Sequence, residues 1–320
     1  MPTSRPRHRA ATLAPVLVLA AAVLALAGCG SSSSPGSSAD PASVIPASAP
    51  LYLGAVVRPS GSLQSDTSAV GKTLTHQPDS YARLAAVLQA PGSPPLTYSH
   101  DLAPWLGRNA GIFLSSLSST AAASTQLQQL LGEVLKGGGA STPSAWPFSA
   151  GVQGAIVLDT SDAAKAASFI STVAGHAGAH AAGYRGVDYQ ATSGGAAFGI
   201  VDRLAVLGTV TGIHGVIDTS LGGPALVHAA DYSKLLSSAP SGALAHVYSN
   251  PTTTTGAGTP SAASGAGRTQ GLGGLVGLLG GARTVNLSLV PSAGSIALDL
   301  DSLTAGAAAS AGGGGLTGSA

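Results

Sequence analysis

Apolar positions recur along this chain with two different periods. Leu127, Leu130, Leu131, Val134 and Leu135 stand at i, i+3, i+4, i+7 and i+8, the stripe of an amphipathic helix, and Gly137 is placed to end it in a left-handed cap. The same spacing predicts a helix bearing Tyr81, Leu84, Ala85 and Leu88, capped by Asp79 or Ser80 and stopped by Pro91-Gly92. It predicts another with Ala163, Ala166, Ala167, Ile170 and Val173 after Thr160 or Ser161, with Gly175 following. Ile213, Val216, Ile217 and Leu221 form a fourth stripe after Thr211, and Tyr232, Leu235 and Leu236 a shorter one.

Between these lie runs with strand character. Leu51 to Val57 is apolar, with β-branched and aromatic members, and is bounded by Pro50 and Pro59. Gly111 to Leu117, Val152 to Leu158, Tyr184 to Ala191 and Ala243 to Tyr248 read as further strands. Ala196 to Val201 and Leu204 to Leu207 form a hairpin about Asp202-Arg203, because Asp tolerates positive φ better than most residues. Val285 to Leu289 and Ile296 to Leu300 alternate apolar with polar and are joined by Pro291 to Gly294, which predicts a hairpin with one wet face. Hairpins mixed with helical crossovers make the expected fold α+β, a largely antiparallel sheet with packed amphipathic helices.

The ends of the chain read differently. Arg5, Arg7, His8 and Arg9 precede an apolar run from Ala10 to Leu26, and Leu26-Ala27-Gly28-Cys29 resembles a lipobox. A signal peptide of residues 1–28, cleaved between Gly28 and Cys29, is expected, with lipid on the Cys29 thiol. The run is also about the length of a membrane span, but the chain's single cysteine stands where a lipobox needs it. Residues 29–43 then form a Ser-rich flexible tether reaching roughly 20 Å. The α+β domain is assigned to 44–251, a low-complexity linker to 252–270, a helix plus hairpin packing on the same domain to 271–304, and a structureless tail to 305–320. The apolar run 271–281 spans roughly 16 Å as a helix, too short to cross a bilayer.

Composition narrows the partners. Removing residues 1–28 takes three of the 14 basic residues and none of the 13 acidic ones, leaving 11 against 13. No basic patch survives to hold nucleic acid. With Cys29 acylated, the folded part has neither a disulfide nor a thiolate metal site. The domain must therefore stand on its own core.

Candidate chemistry is sparse. Gly71-Lys72-Thr73 looks like the end of a P-loop, but Asp66 stands where the motif needs glycine and would repel phosphate, so no nucleotide is expected. His176 and His180 have the i, i+4 spacing of a metal pair, yet Gly175, Gly178 and Gly183 argue against a helix there. They read as two solvated loop histidines, and His100 and His214 stand alone. Glu133 is the only glutamate, which excludes a Glu-based acid/base pair. Asp101 could pair in space with Asp188 or Asp231 as carboxylate hydrolases require; the alternative is a capping Asp101 ahead of Pro104 and two turn or surface aspartates. Trp105 is either a ligand-stacking platform or an anchor holding its loop on the core. No metal and no cofactor is expected.

Three stretches carry a resemblance: Val44-Ile45-Pro46-Ala47 leading into Leu51-Tyr52-Leu53, Asp101-Leu102-Ala103-Pro104-Trp105-Leu106-Gly107, and Tyr184-Arg185-Gly186-Val187-Asp188-Tyr189. The last continues to Val206-Leu207-Gly208-Thr209 and Asp231-Tyr232. Together, over roughly residues 44–304, they resemble a group of actinobacterial exported lipoproteins known only as a domain of unknown function. The D-x-x-P-W-L-G stretch is the most specific piece. The resemblance implies lipid anchoring, an α+β domain and no assigned activity. The expected role is thus that of a non-enzymatic envelope lipoprotein at the outer face of the cell membrane, binding or scaffolding an envelope protein, lipid or glycan. A carrier of an apolar envelope molecule and an unrecognised extracytoplasmic hydrolase are the alternatives. Convergent Asp, His and Ser in a cleft would favour the enzyme, and a large apolar cavity the carrier.

Overall fold

A computed structural model describes residues 38–74, 85, 88, 95–116, 148, 152–250, 284–292 and 295–303. Its strands are β1 (Leu51–Val56), β2 (Leu106–Ser116), β3 (Gln153–Thr160), β4 (His180–Tyr184), β5 (Val187–Ala191), β6 (Ala196–Val201), β7 (Leu204–Thr209), β8 (Ala245–Ser249), β9 (Thr284–Ser292) and β10 (Ser295–Leu303). Helices are α1 (Ser62–Leu74), α2 (Ala163–His176), α3 (Val210–Ser220) and α4 (Ala230–Ser238), and one π-helical turn spans Tyr98–Leu102. The ten strands form one sheet in the order β10-β9-β8-β1-β2-β3-β7-β6-β5-β4. Every neighbouring pair is antiparallel, so the fold is α+β as expected.

Strand alternation sends side chains to two cores, one on each face. Ile156 and Leu158 of β3 join Ala205, Leu207 and Phe198 under α2, which contributes Ala166, Phe169, Ile170 and Val173. Ala155 and Val157 join Leu204, Val206 and Val201 under α3, which contributes Ile213, Val216 and Ile217. The central strands are buried on both faces, which is why they read as unbroken apolar runs. Ala85 and Leu88, from the helix expected around 81–88, are buried in the first core. The other segments named above (Cys29 and its leader, the 127–135 helix, the 252–270 linker, the 271–281 run and the 305–320 tail) lie outside the described residues. No helix among the described residues is long and apolar enough to cross a membrane.

Several local expectations are corrected. Helix α1 was not signalled by a full apolar stripe, and it absorbs Gly71-Lys72-Thr73 into its last turns, where no phosphate-cradling loop exists. The run from Tyr184 to Ala191 is two strands, not one. Arg185 and Gly186 both take positive φ, 50° and 84°, and turn the chain between β4 and β5. The caps also move: Asp162 accepts from Lys165 N at 3.0 Å to begin α2, and Thr209 accepts from Gly212 N at 3.0 Å to begin α3. Each displaces a neighbouring hydroxyl residue of the same capping class, which the sequence pattern does not distinguish. Asp202 does take positive φ, 54°, in the β6–β7 hairpin.

The terminal hairpin is the larger correction. Its strands pair as expected, but the polar side of β9 is not wet. Asn286 is 1% exposed and Ser288 0%, while Val285, Leu287 and Leu289 on the other side are buried too. Helix α4 packs over β9 and β10, and α1 packs against β9. Exposure is shifted to β10, where Leu300 is 46% exposed.

Candidate functional site

The stretch Asp101–Gly107 forms the corner where the π turn enters β2, and each residue type there has a physical role. Trp105 is 1% exposed; its indole Nε1–H donates to Asp101 O at 2.6 Å and its ring lies 5.0 Å from Phe169 of α2. The ring is a core anchor with its one polar atom satisfied. Arg58 Nη1 donates to Leu106 O at 2.7 Å, and Ser161 N donates to Trp105 O at 2.7 Å, so the corner is tied from both neighbouring strands. Gly107 is required because a Cβ there would run into the Asp159 carboxylate. That carboxylate, 2% exposed, accepts from Arg108 N at 2.9 Å and from Ala39 N at 3.0 Å, so residues 38–43, expected within the flexible tether, are instead held on the sheet, with Ala42 buried in the core.

Asp101 itself is engaged locally. One oxygen accepts from Thr97 N at 2.7 Å and Thr97 Oγ1 at 3.0 Å, and the other lies 2.8 Å from His100 Nδ1. Burial alone would raise its pKa, but the bonds from Thr97 and His100 outweigh this and hold the carboxyl below its ordinary range. Asp101 is therefore a local cap, and neither Asp188 nor Asp231 is a partner. Asp188 is exposed on β5 and Asp231 is exposed in the first turn of α4.

Beside this corner lies a cleft of about 310 Å³ between the π turn and α2. Pro95, Leu96, Pro104 and the edge of Phe169 give it an apolar floor, laid over the buried Trp105 and Val173. His100, Asp101, Lys165, Ser168, Thr172 and His176 form its polar wall. Four of the six come from α2, and residues 165, 168, 169, 172, 173 and 176 are one face of that helix. In the sequence only the apolar members mark this helix, and nothing in the spacing of Lys165, Ser168 and Thr172 shows that the π turn packs beside them.

The other histidines are scattered. His176 ends α2, exposed, with Nδ1 2.8 Å from Thr172 O, while His180 begins β4, so they are an element end and a strand start, not loop residues, and share no site. His214 on α3 stacks on Tyr184 at 3.8 Å and meets Tyr189 Oη at 2.9 Å. Among the described residues no group of three or more His, Cys, Asp or Glu is placed to hold a metal ion.

A histidine that the sequence did not single out lies beneath α4. His246 of β8 meets Tyr232 Oη at 3.0 Å, within a cluster of Tyr52, Tyr232 and Tyr248. Burial lowers its pKa to about 4 and raises those of all three tyrosines. The cluster is closed ring against ring, and it reads as a structural polar core.

No curated protein and no solved structure matches the chain. Residues 10–280, most of the sequence, match the family model described as protein of unknown function (DUF3352), and the chain belongs to that family.

Proposed function

We propose that this protein is a non-enzymatic envelope lipoprotein, exported by residues 1–28, anchored through Cys29 at the outer face of the cell membrane, and binding an envelope component in the cleft beside Trp105. The anchor reading rests on the Leu26-Ala27-Gly28-Cys29 sequence after an apolar run. Two acyl chains give a stable attachment where one gives only marginal binding. The binding reading is carried by one observation: a cleft with an apolar floor, built on a tied corner, whose described polar side chains line its wall.

The hydrolase reading has one specific point in its favour, since Ser168, His100 and Asp101 share that cleft. Ser168, however, stands in the middle of α2 and its Oγ donates to Ala164 O at 3.1 Å. Backbone amides around a mid-helix serine are spent in the helix, so they leave no oxyanion hole for an acyl-transfer intermediate. The apolar-carrier reading has less support, because among the described residues the apolar side chains of the central strands are packed under α2 and α3.

A photo-crosslinking residue at Thr172, in the intact chain in living cells, tests the proposal. The expected result is an adduct with an envelope molecule at Thr172 and none at a control position such as Ser238. Cys29→Ala should release the protein from the membrane fraction and remove the adduct. An adduct-free Thr172 position in the membrane-bound protein would overturn the binding reading. A membrane-bound, lipid-labelled Cys29→Ala protein would overturn the anchor.

A further inference from the structure

The cleft also states what kind of ligand it can take, through an inventory of which wall groups still have hydrogen-bonding capacity. Ser168 Oγ–H donates to Ala164 O at 3.1 Å and Thr172 Oγ1–H donates to Ser168 O at 2.9 Å, so both hydroxyl protons are spent within α2. His176 Nδ1 lies 2.8 Å from the Thr172 carbonyl oxygen, which can only accept, so Nδ1 carries the proton. His100 Nδ1 faces the Asp101 carboxylate at 2.8 Å and is protonated for the same reason. An uncharged ring held in this way presents Nε2 as an acceptor. Asp101 accepts as well, and Lys165, the cation among the described lining residues, spends one N–H on Asp162 at 3.1 Å and keeps the others free to donate.

Among the described residues the side chains of this wall thus offer mostly acceptors, with the Lys165 ammonium as the donor, above an apolar floor. A partner must bring hydrogen-bond donors at its edge and a C–H face beneath them. We propose that the cleft binds a neutral saccharide unit of an envelope glycan, which rests on the binding reading above. A pyranose ring carries donor hydroxyls around its rim and an apolar face, which is the complement of this surface. Lys165 disfavours a metal ion or an amine, and Asp101 with Asp162 disfavours an anion. The volume of about 310 Å³ lies at the small end of ligand pockets, suited to one sugar unit with its neighbours outside.

Isothermal titration of the full chain with neutral trisaccharides (maltotriose, cellotriose, mannotriose and chitotriose) tests this. At least one should bind, and His100→Ala and His176→Ala should each weaken it about tenfold, the usual worth of one hydrogen bond. Both histidines are exposed, and unchanged melting of the variants checks that folding is intact. Three results would overturn the proposal: no binding by any of the four, tighter binding of an acidic glucuronate oligomer, or zinc chloride binding that the same two variants abolish. Crosslinking at Thr172 separates the two levels. A non-saccharide adduct there removes the sugar and leaves the binding site standing; no adduct removes both.

Discussion

One face of the sheet is covered by two helices, α3 and α4, and the chemistry beneath them differs. Under α3 the strands present Ala155, Val157, Leu204, Val206, Ala197 and Val201, all buried, against Ile213, Val216 and Ile217. Toward the β10 edge, where α4 packs, the same face presents His246 and Tyr248 of β8, Asn286 and Ser288 of β9, and Asp299 and Asp301 of β10. The register puts Asp301 opposite Asn286 and Asn286 opposite Tyr248, so the polar groups form rows across three strands. Burial under α3 therefore draws on area removed from water. Burial under α4 depends on satisfied hydrogen bonds, since an unpaired buried polar group is costly.

That contrast is sharpest on truncation. Ile217→Ala, at a side chain 0% exposed in the apolar half, should cost about 2–5 kcal/mol in urea unfolding. Tyr232→Phe, which removes only the hydroxyl on His246, should cost about 1 kcal/mol. Similar losses for the two would mean that the halves are held in the same way.

The halves should also separate by pH. His246 is pushed from 6.5 down to about 4 by burial, so the unfolded chain binds the proton more readily. A depressed histidine of this kind contributes stability that is present above 6.5 and is lost as pH falls toward 4. From pH 7 to pH 5 the loss should be about 2 kcal/mol. His246→Phe should flatten that part of the profile, whereas Ile217→Ala should shift the whole profile without changing its slope. A His246→Phe protein with the wild-type slope would show that the proton goes elsewhere. Asp101, held below its ordinary range, contributes stability lost only at still lower pH and leaves this window clear.

The two halves were not equally legible. Under α3 the apolar stripe at 213, 216 and 217 and the unbroken strand runs meant the same thing in sequence and in space. In β9, alternation of Val285, Leu287 and Leu289 with Asn286 and Ser288 spells a wet face, because local pattern cannot know that α4 returns over it. The cleft was half legible. Asp101 and Trp105 stood out as residue types, but Lys165, Ser168, Thr172 and His176 come together with them only because α2 packs beside the π turn, a contact about 65 residues apart in the chain. The buried Asp159 was invisible for the same reason, since its donors are the backbone amides of Ala39 and Arg108.

The smallest expected effect has the opposite sign to the first. Asp301 points its side chain to the α4 face of β10, the last strand of the described sheet, and its Oδ2 is buried without a hydrogen-bond partner among the described residues. An acceptor left in that state lowers stability, and aspartate is also poorly suited to strands. Inward-pointing charge on an edge strand has a separate use, since it penalises pairing with another chain. Asp301→Leu should therefore raise the unfolding free energy by up to about 1 kcal/mol while increasing self-association in size-exclusion chromatography at high concentration. The equivalent gain is unavailable under α3, where the lining is already apolar. If Asp301→Leu instead destabilises the protein, the carboxylate has a donor that the described residues do not supply, and the polar half is held together more completely than its visible bonds indicate.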